Sequence, residues 1–262
     1  MGKLQHLITK SLSYGKSLLS RRELPGFRAF HGLFADKIGL EIGGPSSVFR
    51  PKDILPVYAR AARVDGVNFA TTTLWESEIR EGMTYRCPDR RVGRQYLDEA
   101  SQLDRIADGT YDFVLSSHRL EYLANPIKCV AEWIRVLKPG GAMLLILPDP
   151  RFTFDHRRPV TSFEHLLDDY RDNKGEDDLT HLDEILALHD LARDPGAIGV
   201  ENFRARSLRN RENRALHQHV FEAALVQQIL HHFGLRPLYA DTPPFHIIAL
   251  CTTAANGSGT CP

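Results

Sequence analysis

From about residue 37 the chain alternates short apolar runs with longer amphipathic ones. "KIGLEIG" (37–43) predicts a first strand, and "VYARAARVDG" (57–66) contains a second. "RQYLD" (94–98), "YDFVLSS" (111–117) and "AMLLILP" (142–148) predict three more. Between the last two, Ile127, Val130, Ala131, Ile134, Val136 and Leu137 recur at helical spacing. Pro126 suits the first turn of that helix, and Pro139-Gly140-Gly141 is its expected stop. Strand–helix alternation of this kind predicts an α/β fold, a doubly wound and mostly parallel sheet.

The alternation breaks over 149–213, which is polar and too long for a simple loop. Within it "GEDDLTHLDEILALHDLARDP" (175–195) predicts a helix that buries Leu179, Leu182, Ile185 and Leu186. Order then returns: "VFEAALVQQILHHFG" (220–234) predicts a helix, and "LRPLYA" (235–240) and "FHIIALC" (245–251) predict two final strands. Near the start, Leu4, Leu7, Ile8, Leu12 and Leu19 interleave with Lys3, Lys10 and Lys16, the pattern of an amphipathic helix that packs on the main body. The expected organisation is a helical cap over 1–34, a core over 35–148, a lid over 149–219, the last elements of the core over 220–253 and a flexible tail over 254–262.

Composition narrows the classes. Lys+Arg and Asp+Glu both number 33 among 262 residues, so no overall charge draws the chain to nucleic acid or to an anionic membrane. Charge is uneven locally. Residues 164–190 hold ten acids against two bases, and 201–214 hold five arginines against two glutamates, which points to mutual neutralisation within one lid. The four cysteines (Cys87, Cys129, Cys251, Cys261) form no CxxC pair, which argues against a disulfide framework and for a reducing, cytoplasmic setting. No apolar run approaches the ~18 residues of a membrane span, and the N-terminus lacks the apolar region of a secretory signal.

The candidate chemistry begins at "GLEIGGPSSVF" (39–49), a strand that runs into a glycine loop. In a doubly wound sheet such a loop admits close backbone approach to a ligand, and an acid about 20 residues on holds ribose hydroxyls. Asp65 stands 22 residues after Gly43. Behind it come "DEASQL", "GTYDFVLSSHRLEYL", "VLKPGG" and an apolar fifth strand, in that order. Over about 37–148, and more loosely 220–251, this series resembles the class I S-adenosylmethionine-dependent methyltransferases of the small-molecule type, with a seven-stranded sheet.

That resemblance implies S-adenosyl-L-methionine as cofactor and roles for particular residues. Glu41, Gly43 and Gly44 would face its methionine end, Asp65 and Gly66 its ribose, Glu99 and Ala100 its adenine. Ser116, Ser117 and His118 would leave the fourth strand into the active-site mouth. The sequence departs from the family's acidic-x-Gly-x-Gly-x-Gly pattern, since Pro45, Ser46 and Ser47 follow Gly44. Pro45 removes one backbone donor and fixes φ.

Methyl transfer needs alignment and, for a protonated acceptor, a base. His118 is one candidate base. His156, with Asp155 beside it, is another, just past the fifth strand in "DPRFTFDHRRPVTSFEHLLDDY" (149–170). Arg157 and Arg158 suit capture of an anionic substrate, and His217 and His219 are further candidate substrate contacts. Asp177, His181 and Glu184 share one helical face, and His217 and His219 could extend such a face toward a metal. Carboxylates beside histidines more often form surface pairs, so no metal is expected. The function expected is methyl transfer to a small polar metabolite, carrier-bound or anionic forms included, without nucleic acid or membrane. Oligomeric state is open. A non-methylating enzyme on the same scaffold, such as a cyclase, and a non-catalytic binding protein are the alternatives.

Overall fold

The computed structural model describes residues 23–73, 76, 78–87, 92–194 and 196–255. The helix expected over 4–20, Cys261 and most of the expected tail lie outside these residues. Eight strands form one sheet: β1 (Ile38–Ile42), β2 (Arg63–Asn68), β3 (Gly82–Arg86), β4 (Val92–Leu97), β5 (Tyr111–Ser117), β6 (Leu137–Pro148), β7 (Arg236–Asp241) and β8 (His246–Thr252). Their order is β3-β4-β2-β1-β5-β6-β8-β7. The five from β4 to β6 are parallel, β8 runs antiparallel between β6 and β7, and β3 adds an antiparallel edge beyond β4. β3 is the strand beyond the expected seven. Its residues alternate weakly and only Tyr85 is buried, so the apolar pattern carries little sign of it.

Both faces of the central strands are apolar, as a sheet covered on two sides requires. Leu40, Ile42, Val114, Met143, Leu145, Ile247 and Ala249 face one way. There they meet α1 (Pro126–Val136) and α6 (Ala223–His232), through Trp133, Ile229 and Leu225 among others. Phe113, Leu115, Leu144, Ile146, Ile248 and Leu250 face the other way. This second face is covered by a 3₁₀ turn at Pro25–Leu33 and by the irregular 43–62 crossover, with Phe27, Phe34, Phe49, Leu55 and Tyr58 as cover. The strand–helix rhythm read from sequence therefore holds on one face only. The 43–62 crossover contains no α-helix, and Pro45, Pro51 and Pro56 explain why a regular helix does not propagate there.

α1 starts where Asn125 accepts the Lys128 N–H through its side chain (3.0 Å) and Pro126 supplies the first turn. It ends at Val136, earlier than the expected Pro-Gly-Gly stop, because Leu137 already turns extended and opens β6. The 149–219 segment is built from α2 (Phe163–Arg171), α3 (Leu182–Leu188), α4 (Val200–Ser207) and α5 (Asn210–Asn213). The helix expected over 175–195 is thus only α3. Before it, the Asp178 carboxylate takes the Thr180 N–H and hydroxyl, a local turn that competes with a longer helix. The segment has its own small apolar cluster, Ile185, Phe203 and Leu216. Its basic stretch reaches its acids: Arg206 pairs with Asp194 (2.8 Å) and Arg214 with Glu176 (2.6 Å). Where the segment rejoins the sheet, Thr161 and Val220 exchange hydrogen bonds, N–H to carbonyl at 2.9 Å and N–H to hydroxyl at 3.0 Å.

Candidate functional site

β1 lies between β2 and β5, so the chain leaves β1 toward one edge of the sheet and returns on its other side at β5. The crevice of a doubly wound sheet opens at such a reversal, beyond the carboxyl ends of the strands. Its walls here are the 43–46 loop and the 118–122 turn. Gly43 is left-handed (φ +74°) and donates its N–H to the Val67 carbonyl (2.8 Å). Gly44 passes so close to Glu41 that a Cβ would lie 2.3 Å from its carboxylate oxygen. The Gly44–Pro45 bond is cis.

Glu41 does not face the crevice. It is fully buried; the Tyr58 and Tyr85 hydroxyls each donate to Oε2 at 2.6 Å, and the Ser46 N–H donates to Oε1 at 3.0 Å. Burial raises its pKa while these donors hold it back. Its partners come from the crossover and from β3, neither of which the apolar pattern could align with it. Asp65 also departs from expectation. It sits in the body of β2, three residues before the strand's end. It accepts from Tyr111 Oη (2.9 Å), the Arg94 N–H (2.8 Å) and Arg63 Nη2 (3.1 Å). Gly66 leaves room for the Tyr85 ring, 2.1 Å from where its Cβ would stand. The carboxyl end of β2 belongs instead to Asn68, whose side-chain amide donates to the Gly44 carbonyl (3.4 Å).

A cavity of about 400 Å³ opens here, lined by Gly44, Pro45, Asn68, Tyr85 and Gln95 and by Glu76, Glu78, Ile79 and Arg80 nearby. Further along, Glu99 accepts from Arg214 (2.7 Å), whose guanidinium lies over the Phe69 ring (5.1 Å). Ala100 is in the core, its carbonyl taking the Trp133 indole N–H (2.9 Å). Ser116 and Ser117 are buried at the end of β5.

The turn after β5 brings acid–base groups together. His118 is left-handed (φ +50°), and its Nε2 lies 3.0 Å from His246 Nδ1 at the start of β8. Its Nδ1 is 3.9 Å from Glu121 Oε1, and His217 Nε2 is 4.0 Å from the same oxygen. Glu121 is fully buried, and neither oxygen has a hydrogen-bond partner. Burial pushes its carboxyl up to about 7, against the pull of His217 and Arg119. His217 Nδ1 is hydrogen-bonded to Asp155, and burial would lower this imidazole were it not raised further by Asp155. Burial and the neighbouring His246, His217 and Arg119 hold His118 well below the usual imidazole value. Across the crevice, Arg119 donates to the Gly43 carbonyl through Nε (3.0 Å) and Nη2 (2.6 Å).

Of the residues expected beyond β6, Asp155 joins this cluster. Arg158 stands behind it with a side chain 1% exposed, tied to Asp155 (3.1 Å), Glu184 (2.8 Å) and the His217 and Gln218 carbonyls. That burial makes Arg158 a structural brace and removes it from the substrate contacts. His156 and Arg157 turn to Asp190 instead, at 2.9 and 3.4 Å. His219, buried two residues past His217, points to a different group of side chains, among them Asp169 (3.6 Å). Asp177 and Glu184 do not share a helical face with His181, since α3 begins only at Leu182.

Residues 58–145 match the family model described as a methyltransferase domain. Over that stretch the chain is similar to a methyltransferase domain. The match runs from the end of the crossover into β6; it leaves out the glycine loop and the 149–219 segment. No curated protein matches the chain in sequence. Among solved structures it is similar to a SAM-dependent methyltransferase from Methanosarcina mazei: 15% identity, 89% of this chain, 99% of that one, TM-score 0.48. An S-adenosylmethionine-dependent methyltransferase from Mesorhizobium loti gives 12%, 87%, 96% and 0.48. The Burkholderia thailandensis 1,6-didemethyltoxoflavin-N1-methyltransferase, solved with 1,6-didemethyltoxoflavin and S-adenosylhomocysteine, gives 12%, 96%, 87% and 0.43. Among the described residues no helix is long and apolar enough to cross a membrane.

Proposed function

We propose that the chain transfers a methyl group from S-adenosylmethionine to a small polar acceptor. The observation that carries this reading is Glu121: a buried carboxylate without a hydrogen-bond partner, between two histidines, across the switch-point crevice from the glycine loop. The loop fits the cofactor at the level of its backbone, since the 400 Å³ cavity borders Gly44, Pro45 and Asn68. Gly43 to Pro45 would hold its methionine end, Asn68 its ribose in place of Asp65, and the Glu99–Ala100 turn its adenine. When bound, the cofactor supplies a methyl carbon already activated on a sulfonium.

The chain's own task is to orient the acceptor and hold its proton. His217 Nδ1 is fixed by Asp155, so Nε2 is the atom turned toward Glu121, and this buried pair can take a proton away from solvent. His118 contributes a neutral imidazole on the other side of Glu121. Calorimetry with S-adenosylmethionine and S-adenosylhomocysteine tests the donor site: binding of both is expected, weakened about tenfold in Gly44→Ala. Glu121→Gln should lower turnover by roughly 10²–10⁴-fold on an acceptor found by labelled-methyl screening, at unchanged cofactor affinity.

A second reading keeps the acid–base cluster and drops the methyl donor. It rests on Arg119, whose two bonds to the Gly43 carbonyl place a guanidinium over the loop. Absence of binding at millimolar S-adenosylmethionine would select it.

A further inference from the structure

Outside the crevice, four side chains converge that the methyl-transfer reading does not use. His165 and Asp169 stand one turn apart on α2, His181 precedes α3, and His219 lies on the segment that returns to the sheet. One nitrogen or oxygen of each lies within 4.8 Å of those of the other three. His165 Nε2 is 3.0 Å from His181 Nε2 and 3.4 Å from Asp169 Oδ2, and Asp169 Oδ2 is 3.6 Å from His219 Nε2. Ligands bound tetrahedrally to zinc at its usual bond lengths are about 3.3 Å from one another. Three of the six separations, 3.0, 3.4 and 3.6 Å, lie close to that value, and the other three are within 4.8 Å.

The polar atoms themselves ask for a partner. Asp169 is 3% exposed, yet its Oδ2 has no hydrogen bond; His219, 1% exposed, turns Nε2 to the Ala124 carbonyl (3.4 Å) and leaves Nδ1 without one. Two imidazole nitrogens facing each other at 3.0 Å beside a carboxylate can share a proton only pairwise, which leaves the fourth group unserved. Nearby cations do not fill the gap, because Lys174 is paired with Asp178 and Arg158 with Asp155 and Glu184. His165, 39% exposed, gives an ion a route in from solvent.

We propose that His165, Asp169, His181 and His219 bind one zinc ion as a closed structural site. Three imidazoles and one carboxylate are the nitrogen and oxygen donors zinc accepts, and four protein ligands leave no position for substrate. The ion joins α2, the turn before α3 and the returning segment. This site is independent of the methyl-transfer reading.

The test uses the full chain purified without a histidine tag, loaded with zinc chloride and dialysed, with metal measured by atomic emission. About one zinc per chain is expected, and cobalt(II) in its place should give the visible absorption of a tetrahedral centre. Asp169→Ala and His181→Ala should each weaken zinc binding roughly 100-fold, with folding followed by circular dichroism. His231→Ala/His232→Ala, a histidine pair on α6, should leave it unchanged. An octahedral cobalt spectrum, a wild-type chain that loses its zinc on dialysis, or full zinc retention in folded Asp169→Ala would each overturn the site. The cobalt spectrum needs no variant, so a variant that fails to fold does not remove the test.

Discussion

Under the sheet, Trp133 fills the space between α1 and the strands, fully buried among Ile127, Val130, Leu103 and Leu145. In the 149–219 segment the same kind of place is taken by Arg158, buried to the same degree but surrounded by Asp155, Glu184 and two backbone carbonyls. One region excludes water with hydrocarbon. The other does so with charge, its apolar cluster being three buried residues. Apolar contact is undirected and tolerates approximation, whereas a buried ion network holds only when every member is in place. The 149–219 segment is therefore the part of the molecule whose shape depends on single polar atoms.

The largest expected effect comes from Trp133→Ala, which should cost about 3–5 kcal/mol in urea denaturation and lower the stability of the whole chain. If that segment alone loosened, the two regions would not differ as described. Next, Arg158→Met should cost about 3 kcal/mol because it takes the guanidinium from the buried Asp155 carboxylate, leaving it to His217, and removes the donor of the His217 and Gln218 carbonyls. Its loss should appear in hydrogen exchange over 150–219, with the strands protected as before; equal loss in β5 and β6 would erase the distinction.

A smaller effect is set by pH. Burial works against the Asp194 charge, yet the His189 hydrogen bond and Arg206 hold its carboxyl below the usual carboxylate range. A group depressed in this way adds stability above its unfolded value near ~3.9, and that contribution disappears as pH falls through the folded value. Exchange over 189–207 should thus rise as pH drops below about 4, and Asp194→Asn should flatten the rise. The smallest effect is expected of Arg157→Ala. This guanidinium is 54% exposed, 3.4 Å from Asp190, and its loss should shift stability by no more than about 0.5 kcal/mol. A large drop in turnover on that change would return Arg157 to the substrate contacts.

The same contrast explains what was legible in the sequence. Leu40/Ile42, Phe113/Val114/Leu115 and the 142–148 run announce strands because burial on both faces leaves nothing else for them to do. The five parallel strands and the closing pair follow from that pattern alone. β3 does not, since an edge strand with one buried residue has no pattern to show. Site residues were legible by type and less so by partner. Asp155 and His118 stood out as titratable groups near a strand end and His217 as a candidate substrate contact, but Glu121 is chosen by burial, and burial of a glutamate in "LSSHRLEYL" has no periodic signature. Asp65 has the right spacing from the loop and the wrong height in its strand. Only the register of β2 against β1, Leu40 opposite Asp65, shows that. His165, Asp169, His181 and His219 meet across more than fifty residues of chain, a juxtaposition that needs the turn at Asp178 and the short α3 before it exists.

The exchange of hydrogen bonds between Thr161 and Val220 has a consequence for how this fold can vary. With both ends of the intervening stretch pinned to each other, the entropy of closing it grows only with the logarithm of its length. Doubling that stretch would add about 0.6 kcal/mol, less than one good buried side chain returns. Between the pinned ends the chain can therefore change length at little entropic cost while β6, α6 and β8 keep their register, provided the polar partners described above stay in place, and it can do so without a single substitution in the sheet.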